Sequence, residues 1–251
     1  MLAASLVAAS KSLLSRSGSG ASLQPEDGMA ANILTVASTK GGAGKTTIIM
    51  ALAGTLAAEG LRVAVVDADP NRAYASWASG AYEGAKMEVR AEADETRLAD
   101  AIDELAPNAD IVLIDTAGFG NRAALLAIAA ADAVLVPCTP SRSDIEQASK
   151  TLQLIEGAAR AARRAIPARV VPSRIKVTTA VSKHALAELD AGELPRTMTA
   201  IGDRVAFAEM TFSGRVPNGT TDAGQEIADL IAELREIGWL PNKRLPSMID
   251  T

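Results

Sequence analysis

From Ala31 onward, short apolar runs rich in β-branched residues alternate with longer stretches of helical periodicity. "NILTVAS" (32–38), "RVAVVDAD" (62–69), "DIVLIDTAG" (110–118) and "DAVLVPCTP" (132–140) are apolar almost throughout, as expected of strands covered on both faces. Shorter strand candidates lie at 86–91, 169–172 and 197–201. "KTTIIMALAGTLAAEG" (45–60) reads as a helix closed by Gly60, and further helices are expected over 96–106, 121–130, 143–163, 183–190 and 222–237. Strands alternating with helices predict an α/β fold: a doubly wound, mostly parallel sheet flanked by helices on both faces.

The 251 residues suit one such domain, placed at 29–240, with neither a repeat nor a second core. Residues 1–28, Ala/Leu/Ser-rich and then Ser/Gly-rich, read as a disordered or weakly helical leader, and 241–251 as a short flexible tail. Lys11 and Arg16 follow the leader's apolar stretch, whereas a secretory signal carries its bases ahead of it. Met29, just before the first strand, is an alternative start. No apolar run approaches the ~20 residues of a membrane helix, so a soluble, cytoplasmic protein is expected. The single cysteine, Cys138, excludes an intrachain disulfide framework and a Cys-rich metal site; it reads as a small buried residue at a strand end.

The chemistry concentrates in "STKGGAGKTT" (38–47). Gly41, Gly42 and Gly44, with Ala43 between them, follow a strand and open a helix. Their backbone N–H groups can converge on phosphate oxygens at the positive end of the helix dipole. Lys45 brings charge to the β- and γ-phosphates, Thr46 a hydroxyl for Mg²⁺, and Thr47 continues the first turn. The ordinary pattern G-x-x-x-x-G-K-[ST] is nevertheless broken, because its first glycine falls on Thr39, and a second lysine, Lys40, stands five residues before Lys45. Asp67 and Asp69 lie at the carboxyl end of the next strand, the edge where open α/β sheets bind ligands. In "DIVLIDTAG" four apolar residues lead to Asp115, placed to hold Mg²⁺ through water, and then to Gly118, whose N–H can approach a γ-phosphate.

The variant K-G-G-x-G-K-T-[TS], followed by D-x-D-P at 67–70 and D-T-A-G at 115–118, resembles the ParA branch of the deviant Walker A ATPases. The resemblance covers most of 32–237, more loosely in the last third. It implies a P-loop NTPase fold, ATP and Mg²⁺ as cofactors, and weak, partner-stimulated hydrolysis of ATP to ADP and phosphate. By the same resemblance Lys40 reaches across a nucleotide-sandwich homodimer to phosphates bound by the other subunit. Asp69 positions the attacking water, and Asp67 sits near the metal's water shell. Adenine contacts are implied at Ser173–Arg174 and Pro217–Asn218. Asn71 departs from the family's usual glutamine. "DADPNRAYASW" and the run from Arg174 to Met210 look most like the small plasmid ParA-type ATPases, including the type that assists T-DNA processing. His184 reads as a surface helix residue, since phosphoryl transfer needs positioning and charge rather than imidazole.

The formal charge is −5, yet residues 157–187 hold seven bases and no acid, which leaves −12 elsewhere. Arg160, Arg163, Arg164, Arg169, Arg174, Lys176 and Lys183 therefore suggest a stripe for a polyanion, most simply DNA bound nonspecifically through its phosphates. The plainer alternative is a solvated helix face whose arginines pair with acids elsewhere, for instance in the acid-rich segment 83–110. The expected assembly is an ATP-dependent homodimer on nucleoid DNA, stimulated by a ParB-like or cargo adaptor protein and moving DNA or another cargo. Stable membrane association is not expected, because "ELREIGWLPNKRLPSMIDT" is broken by two prolines. Two rival readings are a MinD-like membrane-positioning ATPase and a ligase of dethiobiotin-synthetase type, which would not need Lys40.

Overall fold

A computed structural model describes residues 32–118 and 122–243. The expected leader lies outside the described residues, as does the tail beyond 243. Six strands form one sheet: β1 (Asn32–Val36), β2 (Val63–Ala68), β3 (Glu88–Ala91), β4 (Ile111–Thr116), β5 (Ala133–Cys138) and β6 (Ala168–Pro172). Their order is β3-β2-β4-β1-β5-β6, and every pairing is parallel. Eight α-helices are found among the described residues: α1 (Lys45–Ala58), α2 (Ala73–Gly80), α3 (Leu98–Leu105), α4 (Arg122–Ala130), α5 (Arg142–Ala162), α6 (Ala180–Ala191), α7 (Val205–Ser213) and α8 (Asp222–Glu236).

The period of two along the strands sorts the core into two layers. Leu34, Val65, Leu113 and Leu135 pack with α1, α2, α7 and α8 on one face. Val66, Val112 and Ile114 pack with α3 and α4 on the other, where Val134, Val136 and Val170 meet α5 and α6. With helices on both faces, β2, β4 and β5 are buried along their whole length, which is why these segments lack polar alternation. No helix among the described residues is long and apolar enough to cross a membrane.

Two helices, α2 and α7, were not apparent in the sequence pattern, and the expected strand at 197–201 is not one. Thr197 N donates to Val170 O (2.9 Å) and Ile201 N to Pro172 O (2.8 Å), so the segment runs beside β6. Met198 N and Thr199 N between them donate to the Glu233 carboxylate of α8, at 2.8 and 2.9 Å. Side-chain capture of those amides replaces the ladder a regular edge strand would present.

Candidate functional site

The parallel order brings the carboxyl ends of β1, β2 and β4 together. In register, Val36 faces Asp115 and Asp115 faces Asp67 across neighbouring strands. The loop after β1 turns through Gly42 (φ 76°) and Gly44 (φ 97°), left-handed positions that suit glycine. Gly44 is the N-cap of α1 and supplies no side-chain cap, so the first-turn amides at Lys45, Thr46 and Thr47 keep their capacity for an anion. Gly41 and Gly42 are exposed, and Ala43 packs inward.

Lys45 is almost fully buried, and its Nζ lies 3.4 Å from Lys40 O. Burial lowers its pKa, while Asp115 and Asp69 pull the other way. Asp115 is completely buried, and among the described residues neither carboxylate oxygen has a hydrogen-bond partner of ordinary geometry, although the Thr46 hydroxyl lies close enough to favour its charged form. Burial pushes its pKa up to about 7; Asp67 and Asp69 add to the rise, and Thr46 and Lys45 oppose it. An orphaned carboxylate beside a threonine hydroxyl at the mouth of an anion site fits a hydrated Mg²⁺. Among the described residues no cluster of three acids, histidines or cysteines could hold a metal alone, so water and a phosphate would have to complete the shell.

Asp67 is equally buried, but its oxygens are used: one accepts from Asp69 N (3.1 Å), the other from Ala75 N in the first turn of α2 (2.9 Å). Asp67 thereby ties the end of β2 to α2, with Asp69 in the bend between. Asp69 accepts from Asn71 N (2.9 Å) and remains partly exposed in an open cleft that Gly41, Asn71, Glu95, Gly118 and Arg122 also line. Arg72 follows with φ 51°, a strained backbone beside the cleft.

Lys40 is close to half exposed but not free. Its Nζ pairs with the carboxylate of Asp144, in the first turn of α5, which also accepts from the Thr139 hydroxyl. Burial by itself would raise the Asp144 pKa, but the bonds from Lys40, Thr139 and Ser141 hold it below the usual carboxylate range. Sequence reasoning missed Asp144. The Ser141-x-x-Asp144 helix start signals a cap, and Ser141 Oγ does accept from Asp144 N (3.2 Å), but nothing in the sequence ties it to a lysine 104 positions away.

Gly118 lies against the loop: a methyl group there would meet Gly41 N at 3.4 Å. Arg174 follows β6 in a left-handed conformation (φ 54°) with its side chain exposed, and Pro217 is half-buried ahead of a turn in which Asn218 Oδ1 accepts from Thr220 N (3.1 Å). His184 is exposed on α6, as expected.

The basic residues of 157–187 fall near both ends of β6. In a parallel sheet α5 runs back from β5, so Arg160, Arg163 and Arg164 end at the edge opposite the phosphate loop. Arg174 and Lys176 lie beyond the other end of β6, about 17 Å away by its five-residue rise. Several members also have structural duties. Arg164 donates to Ala129 O and Ala131 O (2.6 and 2.7 Å) at the end of α4. Arg169 donates to Arg196 O (3.1 Å) and stacks over Trp239, and Lys176 pairs with Asp203 at 3.0 Å. The side chains of Arg160, Arg163 and Arg174 are unpaired among the described residues.

Comparison with known proteins agrees with this arrangement. The family model described as VirC1 protein matches residues 31–234. The chain is 34% identical to Protein virC1 of Rhizobium radiobacter over 188 residues, covering 72% of this chain and 81% of the relative. It is 32% identical to Protein ParA of the same organism over 152 residues, 61% of this chain and 68% of the relative. Among solved structures, an ATP complex of McdA from Cyanothece superposes with a TM-score of 0.71 at 17% identity, covering 86% of this chain and 99% of that one.

Proposed function

The chain belongs to the VirC1 family and has the ParA-type P-loop ATPase fold, and from that premise we propose that it binds ATP with Mg²⁺ and hydrolyses it slowly as a homodimer that positions DNA or another cargo. One observation carries the reading. A buried, unpartnered Asp115 lies in register beside β1, whose end feeds a loop holding both Lys45 and Lys40. Among the described residues only the Thr46 hydroxyl and the Lys45 charge favour the charged form of that carboxylate, and a phosphate-bound cation would supply the missing ligand.

Each residue then has a task. The amides from Gly41 to Thr47 cradle the phosphates, and Lys45 neutralises them from within the protein. Mg²⁺, when bound, offsets charge on the phosphate oxygens; Thr46 and Asp115 would hold it, with Asp67 one strand away. Asp69 orients the attacking water in the open cleft, and Gly118, pressed on the loop, registers the γ-phosphate. Lys40 completes the charge when a second copy arrives, so turnover follows association. Arg174 and Pro217 flank the adenine end. DNA is bound nonspecifically through phosphates, and an adaptor of ParB-like or cargo type stimulates hydrolysis, so that the protein works on the nucleoid in the cytoplasm.

The test uses Asp69→Ala with Mg²⁺-ATP, with ADP and with neither, at two salt concentrations, reading oligomeric state and DNA binding together. An ATP-dependent dimer whose DNA affinity falls with salt supports the reading. A dimer that ignores DNA but sediments with anionic vesicles would replace it with the membrane-positioning one. A protein that binds no ATP would end it.

A further inference from the structure

We propose that Thr151 of α5, together with Gln147, is a positioning residue for the phosphate loop, acting through Thr39 on the two lysines; this rests on the ATP-binding reading above. Thr39 stands where the ordinary loop has its first glycine, so this loop carries a β-branched, hydrogen-bonding side chain that needs a berth. The fold provides one on α5. Thr39 N donates to Thr151 Oγ1 at 3.1 Å, and Thr39 Oγ1 lies 3.0 Å from both Gln147 O and Gln147 Oε1 and 3.1 Å from Thr151 Oγ1. Thr151 Oγ1 in turn donates to Gln147 O at 2.8 Å, which leaves its lone pairs for the Thr39 amide. Thr151 is 1% exposed, so its hydroxyl is held inside the fold and turned to the loop.

Asp144, Gln147 and Thr151 are spaced three and four apart and therefore share one face of α5. That face holds both departures from the ordinary loop: Thr39 through Thr151 and Gln147, and Lys40 through Asp144. The two residues are consecutive, and their backbone is fixed from both sides. Thr39 N–H is bound to Thr151, while Lys40 C=O lies within reach of Lys45 Nζ (3.4 Å). Where Thr39 sits thus decides where Lys40 departs from the chain and which oxygen Lys45 meets. Without the Thr151 hydroxyl, the Thr39 amide is left unpaired in a half-buried place, and the loop is free to leave its anion-binding shape.

The experiment compares wild type, Thr151→Val, which keeps the shape and removes the hydroxyl, and Thr151→Ser, which keeps the hydroxyl. Affinity for a fluorescent ATP analogue with Mg²⁺, kcat and KM for ATP, and Tm without nucleotide are read on the full chain. Thr151→Val should bind the analogue about tenfold more weakly and lose kcat as well, with Thr151→Ser near wild type and the three Tm values close together. Thr39→Val, which removes the loop-side hydroxyl, should move the same way and serves if Thr151→Val fails to fold. Wild-type affinity and kcat in Thr151→Val would overturn the inference. So would a loss that tracks Tm and is not rescued by serine, which is a packing effect. If wild type binds no analogue, the ATPase reading itself fails and takes this inference with it, an outcome distinct from a wild type that binds and variants that do not differ.

Discussion

Lys40 Nζ rests on the carboxylate of Asp144, so in the single chain the lysine expected to serve a partner's phosphates is held by an acid of its own α5. The pair spans the phosphate loop and a helix start, and Asp144 is nearly buried while Lys40 stays close to half exposed. To act on a second copy, Lys40 must leave this acid. If Lys40 has the proposed role, the pairing would oppose association until bound phosphate offers the ammonium a better partner. Asp144→Asn keeps the shape of the site and removes the charge. ATP-dependent dimers should then form at a severalfold lower protein concentration, a modest effect because the lysine end is solvent-screened. Light scattering over a concentration series with Mg²⁺-ATP reads this directly, and an unchanged midpoint would dismiss the restraint.

The same pair has a pH signature. The Asp144 pKa is held below its ordinary value, so its contribution to stability is complete above the unfolded value of about 3.9 and is lost as pH falls through the folded value. The Tm difference between wild type and Asp144→Asn should be flat from pH 8 to 5 and shrink only below about pH 4. A difference that already fades between pH 8 and 6 would mean that another group governs the pairing.

Asp115 should trade stability for function. Among the described residues its oxygens are buried without hydrogen-bond partners of ordinary geometry, and burial outweighs the help of Thr46 and Lys45, so the charged form costs more than a neutral amide of the same shape. Asp115→Asn should leave the nucleotide-free protein as stable as wild type or raise Tm by a few degrees, about 2–4 °C per kcal/mol at this chain length. Nucleotide affinity should meanwhile lose most of its Mg²⁺ dependence. A large drop in Tm together with intact Mg²⁺ dependence would assign Asp115 to the fold rather than to the cation.

Much of this was legible in the chain, and the limits have physical causes. "RVAVVDAD" and "DIVLIDTAG" could be read because a doubly covered strand is apolar throughout and its acids fall at one end. The glycines of the loop were legible because left-handed positions and close anion approach favour that residue. Asp144, Gln147 and Thr151 were not, since polar residues on a long helix look like a solvated face until packing sets them against Thr39 and Lys40. The short helix α2 starts after Arg72 in a left-handed conformation with no side-chain cap, so it carries no start signal. The placement of the basic run was not legible either: contiguous in sequence, it is divided by β6, whose two ends open on opposite edges of the sheet.

That division makes the DNA proposal testable residue by residue. Arg160 and Arg163 at the end of α5 are unpaired among the described residues, whereas Arg164 closes the end of α4 through Ala129 O and Ala131 O. Arg163 also holds a left-handed C-cap (φ 54°), a position that glycine occupies without strain. Replacing Arg160 by Gln and Arg163 by Gly together should leave Tm unchanged or slightly higher and weaken DNA binding at low salt. The salt slope should fall by about one for each DNA phosphate that the chain no longer neutralises. Arg164→Ala should do the reverse: it exposes carbonyls at a helix end and costs about 1 kcal/mol in stability, with a smaller change in slope. A Lys176→Ala variant, at the opposite edge and outside the nucleotide site, separates the two surfaces. If only Lys176 alters the slope, DNA lies along the phosphate-loop edge. If none of the three does, the charge run is a solvated face and the polyanion reading falls.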